Sequence, residues 1–161
     1  MTKYLDAKKS ARLYVVAQFV LLADLIVTRA DVVGWGTAHD FMAVLGLVAF
    51  TAGLLVVFAA GFGLGKSLTA MPLPKDDGKL VVAGFYKYVR HPIYSGLMLL
   101  GMGLVFSNGP LPQLVIWVFL VVVLNRKARF EEHFLLQKYE NYAKYAAQTP
   151  RFFPWPVIRK Q

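Results

Sequence analysis

Two long apolar runs constrain this chain more than any other feature of its sequence. Residues 41–64 contain no charged side chain, and residues 11–28 contain two. Each run is long enough for a helix that crosses the hydrocarbon core of a membrane, which takes about 20 residues. Hydrophobic residues make up 57% of the 161 residues, too large a share for a soluble domain of this size. Because only helices satisfy these backbone groups in lipid, the sequence predicts an all-α integral membrane protein.

Two shorter apolar runs follow in the second half of the chain. Residues 92–107 and 110–125 are short for membrane spans, so we expect them to form a short helical hairpin. A helical pattern then continues from residue 126 to residue 147. The prediction is a single membrane domain, 1–161, with four transmembrane helices (11–28, 41–64, 92–107 and 110–125), a cytoplasmic C-terminal helix and tail, and two cytoplasmic segments that form the site (65–91 and 126–161).

Lysine and arginine residues decide the predicted orientation. They gather near the N-terminus and in the segments 65–91 and 126–161, whereas Arg29 alone lies in the two remaining connections. Positive residues stay on the cytoplasmic side, so both termini and the site are expected to face the cytoplasm, in the plasma (inner) membrane of a prokaryote. The formal net charge of +9 fits this topology and contact with anionic membrane lipids. No nucleic-acid-binding module is expected.

The absence of cysteine narrows the chemistry. It excludes disulfides, thiolate catalysis and cysteine-ligated metal sites. His39, beside Asp40, has no neighbours in sequence that would complete a metal site, so no metal is predicted.

The first candidate motif spans residues 84–96. It contains the run Arg90-His91-Pro92 followed by Tyr94 and Gly96. A proline at this point opens a helix at its first turn, and the free N–H groups of that turn then lie beside Arg90 and His91. Such an arrangement suits an anionic group. The alternative is a basic membrane anchor at a helix start.

The second candidate motif is the pair Glu131-Glu132. Anchors just outside a membrane span are normally basic, so two adjacent carboxylates there indicate a site. One carboxylate can accept the paired hydroxyls of a ribose, and the other can lie near a cation. The alternative is a set of surface salt bridges to Lys127, Arg129 or His133.

Together these motifs resemble a family of membrane methyltransferases that includes isoprenylcysteine carboxyl methyltransferases and phospholipid N-methyltransferases. The resemblance covers roughly the C-terminal half of the chain, in the family's order. It rests on Leu80-Val81, Gly84, Tyr86, Arg90-His91-Pro92, Tyr94, Gly96, Glu131-Glu132, Leu135, Tyr142, Tyr145, Pro150-Arg151-Phe152 and Pro154.

The resemblance implies S-adenosylmethionine as cofactor, with S-adenosylhomocysteine as its product. The carboxyl methyltransferases of this family place an arginine shortly before the glutamates, which holds the substrate carboxylate; Arg126, Lys127 and Arg129 compete for that role here. The residues implied to act on the substrate are Arg90, His91, Arg129 and Glu132. Those implied to line the cofactor pocket are Leu80, Val81, Tyr86, His91, Pro92, Tyr94, Gly101, Gly103, Glu131 and Glu132.

The resulting hypothesis is an enzyme that transfers a methyl group from S-adenosylmethionine to a lipophilic small molecule from the bilayer. The acceptor group (carboxylate, amine or hydroxyl) and the oligomeric state stay open. Two alternatives remain at this point: an NADPH-dependent membrane reductase of the sterol reductase type, which shares the Arg-His-Pro-x-Tyr-x-Gly pattern, and a non-catalytic binding or assembly module with the same fold.

Overall fold

A computed structural model of the chain describes residues 2–28, 35–109 and 111–154, without the side chains of residues 2–4. Every regular element within these ranges is helical. Three short 3₁₀ turns occur at Gly36–Ala38, Gly65–Ser67 and Gly84–Lys87. The α-helices are α1 (Thr2–Val27), α2 (His39–Leu64), α3 (Pro92–Asn108), α4 (Gln113–Lys138) and α5 (Tyr142–Gln148).

Two of these helices meet the length and apolarity needed to cross a membrane. The qualifying segments are Leu5–Val27 and Gly36–Ser67, and α3 is apolar but shorter. Their outward side chains are large and apolar: Leu13, Phe41 and Phe62 are 70%, 68% and 82% exposed. Soluble proteins rarely leave such continuous apolar surface uncovered, so these faces indicate contact with lipid.

The helix boundaries differ from the predicted ones in two places. Helix α1 begins at Thr2, well before residue 11, and the predicted fourth span and C-terminal helix are one continuous helix, α4. The predicted continuation of that helix to residue 147 is wrong. The backbone becomes extended at Tyr139 (φ −120°, ψ 112°), and α5 starts three residues later. Residue 110, where the fourth span was predicted to begin, lies outside the described residues.

Glycines allow α2 and α3 to pack with their backbones in close contact. A β-carbon at Gly103 would lie 2.5 Å from the backbone nitrogen of Phe50, and one at Gly53 would lie 2.5 Å from that of Leu100. Gly96 faces the carbonyl of Gly53 in the same way. Small residues at helix contacts are the usual means of close packing in membranes. This contact fixes α3 against the long helix α2.

We therefore expect Gly103→Ala to destabilise the protein by about 1–3 kcal/mol, because the added methyl group overlaps backbone atoms of α2. Gly61→Ala is the matched control, since its β-carbon would meet only a side-chain atom of Leu68 at 3.9 Å. Thermal unfolding of both variants in one detergent checks the prediction. Equal melting temperatures would contradict it.

The other packing contact places α1 and α3 against α4. The buried side chains between them are Leu25, Tyr94, Met98, Val105, Leu120, Leu124 and Ala128. The indole N–H of Trp117 on α4 also donates to the carbonyl of Met98 on α3, at 2.8 Å. Because α3 and α4 run as a hairpin, the start of α3 and the second half of α4 lie on the same side of the molecule.

Candidate active site

The start of α3 is bound to the C-terminal tail. Pro92 is the first residue of α3, where its missing N–H costs no hydrogen bond. The backbone N–H groups of Arg90 and His91 donate to the carbonyls of Pro150 and Arg151, at 2.9 and 3.0 Å. These bonds align the first sequence motif with the Pro150-Arg151-Phe152 run at the other end of the resemblance.

Glu132 is the centre of a largely buried ion-pair cluster. Its Oε1 lies 3.0 Å from the Arg90 guanidinium and 3.1 Å from His91 Nε2. Arg151 makes a bidentate contact with the same carboxylate: Nε donates to Oε1 at 3.0 Å and a terminal nitrogen donates to Oε2 at 2.6 Å. Arg151 also donates to the side-chain oxygen of Asn125. A single carboxylate thus joins the start of α3, helix α4 and the tail.

The surroundings of Glu132 lower its pKa. Burial alone would raise the pKa, but the hydrogen bonds from His91 and Arg151 and the charge of Arg90 outweigh it. The pKa falls from the ordinary value of 4.5 to about 2. Glu132 is therefore ionised throughout the physiological range.

This shift gives a pH dependence with a definite sign. A carboxylate whose pKa is lowered by folding stabilises the protein above its unfolded pKa, and this contribution is lost as the pH falls from about 4.5 towards 2. We expect the melting temperature of wild type to lie well above that of Glu132→Gln at pH 7. The difference between the two melting temperatures should narrow steadily between pH 5 and pH 3. A difference that stays constant with pH would contradict the assignment.

Glu131 points the other way, into a cavity. One of its oxygens, Oε2, accepts a hydrogen bond from the hydroxyl of Tyr94 at 2.7 Å and lies 3.7 Å from His91 Nδ1. No hydrogen bond is made to Oε1 by the described residues, and 27% of the side chain is exposed. The His91 ring stacks parallel to that of Tyr94, with centroids 5.2 Å apart. Glu131 therefore presents a free, negatively charged acceptor to the cavity.

The cavity has a volume of about 430 Å³ and reaches from the loop before α3 down between the helices. This volume lies within the range of small-molecule sites. Its outer part is lined by tyrosines and by the loop, and its inner part by apolar side chains of α1, α2 and α3. The lining includes Phe19, Leu22, Val57, Leu64, Leu80, Val81, Tyr86, Arg90, His91, Tyr94, Leu97, Glu131, Tyr139, Tyr142 and Tyr145.

The loop between α2 and α3 closes the outer end of the cavity. The hydroxyl of Tyr139 donates to the carbonyl of Gly78 at 2.7 Å, and the Lys138 ammonium donates to the carbonyls of Lys75 and Asp76. The end of α4 thus holds the loop, which explains why the chain leaves the helix at Tyr139. Leu80 and Val81, on the same loop, line the cavity.

Lys127 is a buried cation in the cavity wall. Its ammonium donates to Gln18 Oε1 on α1 at 2.7 Å and lies over the Tyr94 ring, 5.1 Å from its centroid. Its neighbours Arg126 and Arg129 are both exposed and do not line the cavity. Of the three cations that precede the glutamates, Lys127 is the one that reaches the site.

A phospholipid methyltransferase family model matches residues 41–142, more than half of the chain. This chain belongs to that family. The match includes the start of α3, the glutamate pair and Tyr142.

Among curated relatives, the protein-S-isoprenylcysteine O-methyltransferase B of Arabidopsis thaliana is 27% identical over 121 residues, 73% of this chain and 61% of the relative. A probable protein-S-isoprenylcysteine O-methyltransferase of Oryza sativa subsp. indica is 31% identical over 111 residues, 65% of this chain and 58% of the relative. The cobalt-zinc-cadmium resistance protein CzcN of Cupriavidus metallidurans is 30% identical over 82 residues, 50% of this chain and 38% of the relative. The chain thus spans about three fifths of the length of the two plant relatives.

The structure brings together most of the residues predicted for the site. Seven of the predicted residues line the cavity. Glu132 and Pro92 are not in its lining: Glu132 pairs with Arg90 and His91, and Pro92 begins α3. Arg129 is exposed outside it. Gly101 packs against Trp117, and Gly103 against α2, so this Gly-x-Gly element is a helix contact away from the cavity. The seven lining residues are Leu80, Val81, Tyr86, Arg90, His91, Tyr94 and Glu131.

Two residues that contact the site are absent from the predicted site residues: Arg151 and Gln18. Arg151 entered only as part of a motif, although it makes the closest contact with Glu132. Gln18 belongs to no motif, and its signal in the sequence is a polar side chain within an apolar run.

The cavity suits an S-adenosyl group by the chemistry of its walls. Glu131 offers a free carboxylate oxygen for hydroxyl groups, and the tyrosines offer flat surfaces for a purine ring. In addition, the Tyr142 hydroxyl and Arg90 Nε are buried without a hydrogen-bond partner in the described residues. Buried polar groups rarely stay unpaired, so these two donors indicate a missing ligand or water.

Proposed function

We propose that this protein transfers a methyl group from S-adenosylmethionine to a lipophilic small molecule. The observation that carries the proposal is the cavity itself, where a free carboxylate oxygen of Glu131 and a set of tyrosines face an apolar channel between helices. Membership in the phospholipid methyltransferase family and the names of the plant relatives support the same reaction class.

The cofactor is assigned to the outer part of the cavity. Glu131 would bind hydroxyl groups there, and Leu80, Val81 and Tyr86 would enclose the apolar face of the adenine. Glu132 would not contact the cofactor itself. It would position Arg90 and His91 through the ion-pair cluster. Positioning and exclusion of water are the main contributions that such a transfer requires from a protein.

The acceptor is assigned to the inner part of the cavity. Phe19 and Leu22 of α1 and Val57 of α2 line this part, and the described parts of α1 and α2 are not packed closely against each other. An acyl or prenyl chain would enter from the bilayer between these two helices. Lys127 is placed to hold a polar head group at the end of that path.

When bound, S-adenosylmethionine supplies a methyl group on a sulfonium sulfur; the acceptor atom bonds to the methyl carbon as the carbon–sulfur bond breaks and its electron pair stays on sulfur. A carboxylate acceptor has no proton to lose. An amine or hydroxyl acceptor loses one, and Glu131 and His91 are the groups in the cavity wall that can accept it.

We further infer that all four long helices cross the membrane, with α3 and α4 as a short hairpin and both termini in the cytoplasm. The exposed apolar side chains of α4, such as Val115, Val118 and Phe119, support a lipid-facing first half of that helix. The lysines and arginines near the N-terminus, in 65–91 and in 126–161 support the orientation. The site would then open to the cytoplasm, where the cofactor is available.

A transfer assay tests the proposed reaction. Purified protein in nanodiscs is incubated with S-adenosylmethionine labelled in the methyl group and with a total lipid extract, and the lipid fraction is analysed for label by mass spectrometry. In parallel, thermal shifts with S-adenosylhomocysteine and with NADPH are compared. We expect labelled lipid and stabilisation by S-adenosylhomocysteine only. Stabilisation by NADPH alone would overturn the proposal in favour of a reductase, and the absence of both shifts would favour a non-catalytic module.

A further inference from the structure

Two buried donors in the cavity wall have no acceptor among the residues that the structure describes. The Tyr142 side chain is 1% exposed, and its hydroxyl makes no hydrogen bond within the described residues. Nε of Arg90 is buried and unpaired as well, although the other nitrogens of that guanidinium bind Glu132 and the carbonyl of Ala146. Both side chains line the cavity. An unpaired buried donor is costly, so a pair of them calls for a common acceptor.

The charges around Glu132, in the cluster behind Arg90, also do not balance. Arg90 and Arg151 both pair with Glu132, so two guanidinium charges face one carboxylate and one positive charge remains. The adjacent carboxylate, Glu131, does not supply the missing negative charge, because the Lys127 ammonium lies one helical turn away and offsets it. Arg151 is partly exposed and lies outside the cavity lining, whereas Arg90 lines the cavity, so the excess positive charge favours an anionic ligand group beside Arg90.

The Tyr142 hydroxyl is held as a donor. Burial raises its pKa, the charge of Glu132 acts in the same direction, and the charge of Arg90 acts against both. Tyr142 therefore keeps its proton at neutral pH. Its ring packs edge-on against Tyr145, with centroids 5.9 Å apart, so the side chain has a fixed position.

We propose that Tyr142 and Arg90 form the binding subsite for the carboxylate of the cofactor's methionine portion. This inference rests on the proposed function, and it goes beyond it by assigning one end of the cofactor to one end of the cavity. The carboxylate is the anionic group of S-adenosylhomocysteine, and it accepts hydrogen bonds from both donors. The nucleoside portion then extends from this subsite towards Glu131.

A comparison of two ligands isolates this contact. Calorimetry measures the affinity of the full-length protein, in detergent, for S-adenosylhomocysteine and for its decarboxylated analogue, 5′-(3-aminopropylthio)-5′-deoxyadenosine. For wild type we expect the carboxylate-bearing ligand to bind about tenfold more tightly or better, the ratio typical of a charge-assisted hydrogen bond. In Tyr142→Phe we expect that ratio to fall below about threefold, through weaker binding of S-adenosylhomocysteine alone.

Tyr88→Phe is the matched control. The Tyr88 side chain is 61% exposed and is not among the residues that line the cavity, so the loss of its hydroxyl should leave the ratio of the two affinities at the wild-type value. Tyr142→Phe, by contrast, removes an unpaired polar group, and the ligand-free variant should melt at the wild-type temperature or above it.

The outcomes separate this inference from the proposed function. If wild type binds neither ligand, the proposed function fails. If wild type binds both ligands equally, or if Tyr142→Phe weakens both by the same factor, S-adenosyl binding stands and the carboxylate subsite is wrong. A ligand-free Tyr142→Phe protein that melts well below wild type would also overturn the subsite, because it would give the hydroxyl a structural partner.

Discussion

Replacing Glu131 by glutamine should lower the affinity for S-adenosylhomocysteine roughly 100-fold. Glu131 lines the cavity and its Oε1 accepts no hydrogen bond from the described residues, so a ligand hydroxyl pair would find a charged acceptor there. Each hydrogen bond to a charged group is worth about 1.5–3 kcal/mol, and two such bonds account for a factor of this size. Titration calorimetry on the purified protein gives the affinity directly.

The fold should survive this change. A glutamine at position 131 still offers an oxygen to the Tyr94 hydroxyl, and the ion-pair cluster around Glu132 is left intact. Glu140→Gln is the matched control, since Glu140 is exposed just beyond the end of α4. An unchanged affinity in Glu131→Gln, with normal melting, would show that this carboxylate does not touch the ligand.

Replacing Glu132 by glutamine should instead cost the protein its stability, by about 3 kcal/mol or more. This carboxylate is the common partner of Arg90, His91 and Arg151, and its loss leaves two guanidinium charges, only 13% and 27% exposed, without compensation. Removing one partner of a buried ion pair typically costs 3–5 kcal/mol. Equilibrium unfolding in a fixed detergent, followed by circular dichroism, measures the difference.

A double-mutant cycle identifies the cause. Arg151→Met and Glu132→Gln are measured singly and together, and the free-energy changes should fall short of additivity by more than about 1 kcal/mol because the two side chains share two hydrogen bonds. Arg129→Met removes an exposed cation from the same helix and should leave stability nearly unchanged. Additive losses would mean that the cluster does not act as a unit.

The different roles of these adjacent glutamates mark the limit of prediction from sequence. Both carboxylates were assigned to the cofactor pocket because the pair stands out beside a predicted membrane helix. Neighbouring residues on a helix point about 100° apart, so one of them faces the cavity and the other faces the tail. The sequence does not reveal which, because the direction depends on how α4 is rotated against α3 and on where Arg151 returns.

Features of the fold that depend on local sequence patterns were predictable, and features that depend on distant contacts were not. The all-helical fold and the proximity of His91 to Glu132 could be predicted, because apolar runs and a hairpin of two helices decide them. The extended backbone at Tyr139 could not be predicted, since it depends on the contact with Gly78, 61 residues away in sequence. Gly101 and Gly103 were assigned to the cofactor by resemblance, and they contact other helices.

A crystal structure of the protein with S-adenosylhomocysteine tests the central claim most directly. We expect the ligand in the cavity between the loop and helices α3 and α4, with a hydroxyl within hydrogen-bond distance of Glu131 Oε1. No ligand atom should contact Gly101 or Gly103. Ligand density outside this cavity, or a ligand that leaves Glu131 without a contact, would contradict the assignment.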